Sequence, residues 1–477
     1  MEIFSKKYLY FAITLILTIG IYIIYRAATL SLVHDESLTY NTVKLNEASP
    51  WINDANNHWL NTSLITFCAK IMGEKEWVLR LPNILSYFCY TFFGVLILNR
   101  LKNSILKYTS FLSLVLNPFL LDFFSLARGY GLAIGFMVAS IFFLLKLSDD
   151  SRQKNALIGF GLFSILSVLS NATLLIFYLS AMFIWALLQF RTQGIRFFYN
   201  PIVIATSVVH LYVLKKVLDF VFFLKSINGL YAGGNTGFIS DVIGSNLTTL
   251  FYEEKSFFLK WVAPISLFIV LLFGILAIYQ IFNWINNQKM KQSEILFLLL
   301  AMSVLIPIVQ FHVLKVLFPT ERGAVFYYPL FIFALFGTLD LLEKKWIHYW
   351  LTLPLSSFIL YNFSVTANVT HCYTWGYERH TKEFLTYVKI LQAAKQLPDK
   401  VTLGVHWKYQ PAIEHYYRHQ WHLDGVLPVI RGAIGEKTAD IYYIEAGELP
   451  LVTKLDTSIV VFRQFADNKS LILTRNF

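Results

Sequence analysis

Long apolar runs follow one another along most of this chain, and they fix the solvent it folds in. A helix needs about 20 apolar residues to cross about 30 Å of hydrocarbon. A window of that width finds about eleven runs, at roughly 8–30, 77–98, 108–121, 130–147, 157–170, 172–190, 200–214, 258–283, 295–314, 324–342 and 348–366. The stretch 157–190 also reads as one long element. Only 14% of the 477 residues are charged, against about 25% in soluble globular chains. That shortfall excludes a cytosolic enzyme, and the same composition excludes collagen, low complexity and disorder. Aromatic residues reach 17%, which suits a bilayer protein with interfacial belts. The expected fold class is an all-α polytopic membrane protein.

The first run follows Lys6 and Lys7 and lacks a small-residue cleavage site, so it reads as a retained anchor. The net charge of +11 would direct a soluble protein to nucleic acid. Here the basic residues lie mostly in short connections, and topology explains them without a nucleic-acid partner. With the N-terminus inside, the inner connections hold Lys6, Lys7, Arg100, Lys102, Lys107 and Lys146 among others, at more than twice the density of the outer ones. An odd number of spans then puts the C-terminal segment outside. The long connections 31–76, 215–257 and 367–477 all fall on the outer side. The first two are partly amphipathic, as in Phe220-Val221-Phe222-Phe223-Leu224, and predict helices lying in the interface.

Residues 1–367 form the expected membrane domain, and the character changes after it. Helical spacing over 377–396 and 409–418 alternates with strand-like runs at 401–405, 441–444, 458–462 and 471–473. The alternation predicts a small α/β domain over 368–477. Its His406-Trp407, His415-Tyr416-Tyr417, His419 and Trp421-His422 cluster suits carbohydrate stacking or metal binding, or simply an aromatic-rich fold near the interface. Cys68, Cys89 and Cys372 lack metal or disulfide spacing.

The densest chemistry follows the first span, at Val33-His34-Asp35-Glu36-Ser37. Adjacent carboxylates at a membrane exit are costly unless solvated or paired. On a helix they point about 100° apart, so they would do different work: one a base, the other a metal or hydrogen-bond ligand. The alternative is that both cap the next helix. The block Asn53-Asp54-Ala55-Asn56-Asn57-His58-Trp59-Leu60-Asn61 is rich in side-chain donors and acceptors beside an apolar stretch, as a head-group site requires; it also fits an Asn-rich turn. Arg80 sits just inside a span, where it either snorkels or holds a carboxylate or phosphate. At the two further outer corners, Arg128-Gly129-Tyr130-Gly131 and Glu321-Arg322-Gly323, an Arg stands beside a Gly. Positive-inside logic does not explain outer arginines, and bidentate phosphate recognition does.

Nucleotide and hydrolase motifs are missing from the sequence: no GxGxxG, no GxxxxGK[ST], no DxD, no GxSxG and no HExxH. No nucleotide cofactor is expected.

The order HDES, NNHWLN, GEKEWVLRLPN, SLARGYGL and, late in the chain, TERGAVFYYPLF resembles the GT-C glycosyltransferases. The branch is that of bacterial protein mannosyltransferase-like proteins and lipid A aminoarabinose transferases. The motif resemblance covers roughly 8–145 and 318–335. It implies a bundle of helical spans with interfacial helices, and a polyprenyl-phosphate sugar donor used on the outer face of a bacterial inner membrane. It implies an acidic base or metal ligand at Asp35, with Glu36 beside it, and lipid-phosphate ligands at Arg80, Arg128 and Arg322. Asn56, Asn57, His58 and Tyr130 join these as substrate-binding candidates. A divalent metal ion on Asp35 and His58 is part of the same expectation. The family's His-Pro-Pro-Leu block reads His58-Trp59-Leu60 here, so its role does not carry over directly. The acceptor would be a lipid, a glycan or a protein. Two other functions use the same carriers: a lipid-linked glycan flippase, which would place polar groups inside its spans, and a glycan polymerase or ligase.

Overall fold

The computed structural model describes residues 5–45, 49–150, 153–194, 199–230, 232–252, 257–286, 290–420 and 434–475. Trp421 and His422 lie outside these residues. Contacts divide the chain into two compact units, each discontinuous in sequence. The first takes in 1–24, 51–63 and 82–367; the second takes in 25–50, 64–81 and 368–477.

Six described helices are long and apolar enough to cross a membrane: Lys6–Thr29, Glu76–Leu98, Gly129–Asp149, Ala172–Gln193, Leu259–Gln280 and Gln292–Leu314. The 24 residues of the first reach about 36 Å at about 1.5 Å each, enough for the hydrocarbon layer. Lys154–Ser170 and Tyr327–Leu339 are shorter apolar helices. The chain is a multi-pass membrane protein.

Two breaks shape the first unit. The run predicted as one span at 108–121 is instead two helices, Ser104–Val115 and Pro118–Phe124, bent by 61°. Pro118 offers no N–H and disfavours helical backbone at Asn117, whose side chain then caps the second helix through Leu120 N at 3.1 Å. The second break answers the ambiguity over 157–190. Asn171 ends Lys154–Ser170, and its Oδ1 accepts from Thr173 N at 2.9 Å to start the next helical segment. The Phe220–Leu224 run continues the long helix Pro201–Ser226. Close helix approach in this unit uses small residues, as lipid-embedded packing favours: Ser167 Oγ donates to Ala133 O at 2.9 Å between neighbouring helices.

The second unit contains a four-stranded sheet. Its strands are β1 (Leu403–Val405), β2 (Ile441–Glu445), β3 (Ile459–Gln464) and β4 (Ser470–Arg475), in the order β1-β2-β4-β3. β1 and β2 are parallel; β4 is antiparallel to both its neighbours. All four predicted strands are present. Tyr442, Ile444, Leu471 and Leu473 pack with Val452 in the core. The amphipathic helix Thr381–Ala393 buries Phe384, Leu385, Val388 and Leu391, with Phe384 stacked on Tyr443 at 4.8 Å.

Candidate functional site

In the second unit, the turn between Lys6–Thr29 and the helix His34–Leu45 places Asp35 and Glu36 in a helical first turn. A carboxylate there is favoured by the unsatisfied N–H groups and the dipole. The two acids then part company. Glu36 is buried; its Oε2 accepts from Val33 N at 2.9 Å. Both its oxygens are held by Arg80, from Nε at 2.9 Å and Nη2 at 2.7 Å. Arg80 is 0% exposed. Its remaining N–H groups donate to Ala27 O at 3.1 Å, Leu30 O at 3.0 Å and Ser31 O at 2.8 Å.

All five donors of that guanidinium are thus occupied by Glu36 and by carbonyls at the end of the first helix. This corrects two expectations. Arg80 has no N–H left for a lipid phosphate, and Glu36 is not available as a catalytic carboxylate. Together they form a buried brace for the turn. Asp35 sits half-buried one residue before Glu36 on the same helix, pointed away from it by the helical rotation.

In the first unit, residues 51–58 fold into a turn tied by its own amides, and the helix Trp59–Met72 follows. Asn56 N donates to Asp54 Oδ1 at 2.8 Å. Asn57 donates to Ile52 O at 2.7 Å and accepts from Thr62 Oγ1 at 2.6 Å. Asn57 therefore closes the turn, and Asn56 contributes its carbonyl, which accepts from Arg128 Nη1 at 3.1 Å. Arg128 is buried and stands at the N-cap position of Gly129–Asp149. The His58 ring meets Tyr130 edge to face at 5.2 Å, and Tyr130 also packs on Phe123 at 4.9 Å.

The glycines of this corner serve protein packing. A Cβ on Gly129 would lie 2.0 Å from Ser170 O and 2.8 Å from His58 Cβ; one on Gly131 would lie 2.3 Å from Phe123 O. An amide bridge that the sequence did not single out fixes the same corner. Asn61 donates to Ala127 O at 3.1 Å, Asn83 donates to Asn61 Oδ1 at 2.8 Å, and Asn83 Oδ1 accepts from Leu132 N at 2.9 Å. Asp122, fully buried, accepts from the Tyr252 hydroxyl at 2.8 Å.

The Arg322 corner is pinned from the 234–246 segment of the same unit. Gly234 and Phe318 exchange backbone bonds at 2.9 Å. Ser245 Oγ accepts from Glu321 N at 3.0 Å, and Asn246 donates to Ala324 O at 3.1 Å.

Electrostatics join His58, Arg128 and Arg322. Burial first, then the charges of Arg128 and Arg322, hold the His58 imidazole well below its ordinary 6.5. The ring is neutral at pH 7. Among the described residues its Nε2 has no hydrogen-bond partner although it is buried. The charges of Arg128 and Arg322 favour an anion beside the ring over a cation. Those charges weigh against His58 as a metal ligand. Among the described residues no three His, Cys, Asp or Glu groups are placed to hold an ion, and Asp35's neighbouring carboxylate is committed to Arg80.

No family model and no curated protein matches the chain. Solved structures do. ArnT from Cupriavidus metallidurans, bound to undecaprenyl phosphate, aligns over 97% of this chain and 97% of its own, with a TM-score of 0.56 at 11% identity. This chain has the fold of that ArnT. The apo state of the same ArnT gives 0.55 at 10% identity over the same shares. Arabinosyltransferase EmbB from Mycobacterium smegmatis aligns over 77% of this chain and 41% of its own, with a TM-score of 0.38 at 13% identity.

Proposed function

We propose that the chain is a membrane glycosyltransferase that moves a sugar from a polyprenyl-phosphate donor to a hydroxyl acceptor on the outer face of a bacterial inner membrane. The observation that carries this reading is the cationic corner of the first unit, where Arg128 and Arg322 bias a buried, neutral His58 with an unoccupied ring nitrogen. A phosphodiester head group carries the negative charge and acceptor oxygens that a cationic corner attracts. Guanidinium groups bind phosphate through paired N–H donors, and they gain strength where water is excluded. The ArnT fold supports the reading, since that protein was captured with undecaprenyl phosphate.

In the reaction, the acceptor oxygen attacks the anomeric carbon as the carbon–oxygen bond to phosphate breaks. The bonding pair leaves on the phosphate, where Arg128 and Arg322 stabilise the charge. Asp35 takes the acceptor's proton as general base. A single displacement inverts the anomeric centre. The N-terminus is inside and the α/β segment outside, following the basic inner connections.

The test is transfer by purified protein in nanodiscs, offered a panel of sugar-labelled polyprenyl phosphates with a membrane extract as acceptor. Transfer from one donor is expected, falling by about 10²–10⁴-fold in Asp35→Asn with the fold intact. Wild-type turnover in Asp35→Asn would remove Asp35 as base. Donor binding without any transfer would replace the transferase with a carrier of the same lipids.

A further inference from the structure

The backbone between Lys6–Thr29 and His34–Leu45 is held almost group by group, and two of the six bonds to it come from the C-terminal α/β segment. All the residues concerned belong to the second unit. From one direction Arg80 takes Ala27 O, Leu30 O and Ser31 O, and Glu36 takes Val33 N. From the other, Lys382 Nζ donates to Thr29 O at 2.9 Å and Tyr416 Oη accepts from Leu32 N at 2.7 Å. Those two groups are joined through Glu76. Its Oε1 lies 2.7 Å from Lys382 Nζ and accepts from Tyr416 Oη at 3.2 Å. Tyr416 is fully buried. The next helix is tied to the same segment: His34 Nδ1 lies 2.8 Å from Lys408 O, and Asn41 donates to Pro411 O at 3.0 Å.

A turn of this kind has no regular hydrogen bonds of its own, and groups buried in it must be satisfied from elsewhere. If stability were the sole need, apolar packing would serve at least as well as a buried charged network. A network that fixes successive backbone groups instead fixes position, and the side chain presented two residues after Val33 is Asp35.

We infer that Tyr416 and Lys382 are positioning residues for Asp35, so that the C-terminal α/β segment sets the register of the catalytic carboxylate. The inference rests on the assignment of Asp35 as base. Tyr416 supplies an acceptor and a donor from one hydroxyl, linking Leu32 N to Glu76. Phenylalanine keeps the ring and removes both bonds. Lys382 anchors the opposite end of the turn, at Thr29 O, through the same Glu76.

The experiment measures steady-state transfer and amide hydrogen exchange on the full-length protein in nanodiscs, for Tyr416→Phe and Lys382→Gln. The expected result is a fall in kcat of about tenfold to a hundredfold, the scale of a misplaced reacting group, with the donor KM unchanged. Exchange over residues 29–36 should quicken while β2 and β4 keep wild-type protection. Lys382→Gln carries the test if Tyr416→Phe does not fold. Wild-type kcat in the folded variants, or a lower kcat with no change in exchange over 29–36, would overturn the positioning role. Asp35→Asn turning over at the wild-type rate would overturn the base assignment beneath it, while Tyr416→Phe alone at the wild-type rate would leave that assignment standing.

Discussion

Two buried arginines at the starts of apolar helices do opposite things. Arg80 is neutralised in place: Glu36 takes two of its N–H groups and main-chain carbonyls take the other three. Arg128 donates to a carbonyl of the Asn-rich turn, and its positive charge is felt by the imidazole of His58, as is that of Arg322. The first arrangement stores the charge as architecture. The second keeps a positive field around a buried imidazole, the field that the proposed phosphate site would use. Neither burial nor sequence position separates the two cases; the partner does.

Removing Arg80 should have the largest effect on folding. Arg80→Ala leaves Glu36 buried and uncompensated, at a cost of about 3–5 kcal/mol, and denaturation in detergent should show a protein near collapse. Replacing both partners, as Arg80→Met with Glu36→Leu, removes the uncompensated charge but strips Ala27 O, Leu30 O, Ser31 O and Val33 N of these partners, so it should recover only part of that loss. A stable Arg80→Ala protein that had lost only donor affinity would break the comparison.

Gly129→Ala sharpens it from the other side. A Cβ 2.0 Å from Ser170 O and 2.8 Å from His58 forces the corner open, and overpacking of this kind costs about 1–3 kcal/mol. The melting temperature should fall and donor affinity should fall with it. Loss of stability with donor affinity intact would separate the glycine corner from the phosphate site.

The smallest effect is the pH response of His58. Its pKa is below 6.5 when folded, so the unfolded chain binds the extra proton. The stability it contributes is fully present above about pH 6.5 and declines as pH falls below that value. Melting curves at neutral and mildly acidic pH should show a larger drop for the wild type than for His58→Gln. Equal drops would mean that His58 is not held neutral by its burial and the charges of Arg128 and Arg322.

Much of the fold was legible because apolar runs and alternation report local burial. The strands β1 to β4 and the apolar helices follow from those patterns. The bend after Val115 did not, although Asn117-Pro118 carries its signal, because the apolar run passes through it without interruption. Among the candidate residues, Asp35 in the second unit and Arg128 and Arg322 in the first stood out as charges where charges are costly. Arg80 and Glu36 stood out for the same reason and received the wrong role. They are 44 residues apart in sequence, and a pair at that distance leaves no periodic mark. Asn83 and Lys382 were missed, and Tyr416 was read only as part of an aromatic cluster, on the same ground: each acts on groups distant in sequence. Asn83 sits at the polar end of the GEKEWVLRLPN stretch, beside an apolar run, which is the one local hint it gives.

The central claim is that Arg128 and Arg322 hold the lipid phosphate. It is tested most directly by equilibrium binding of undecaprenyl phosphate to the purified protein in nanodiscs, for wild type, Arg128→Ala and Arg322→Ala. Hydrogen bonds to charged groups are each worth about 1.5–3 kcal/mol, so each variant should raise Kd by about 10–100-fold while keeping a folded, monodisperse protein. Unchanged Kd in both folded variants would contradict the claim.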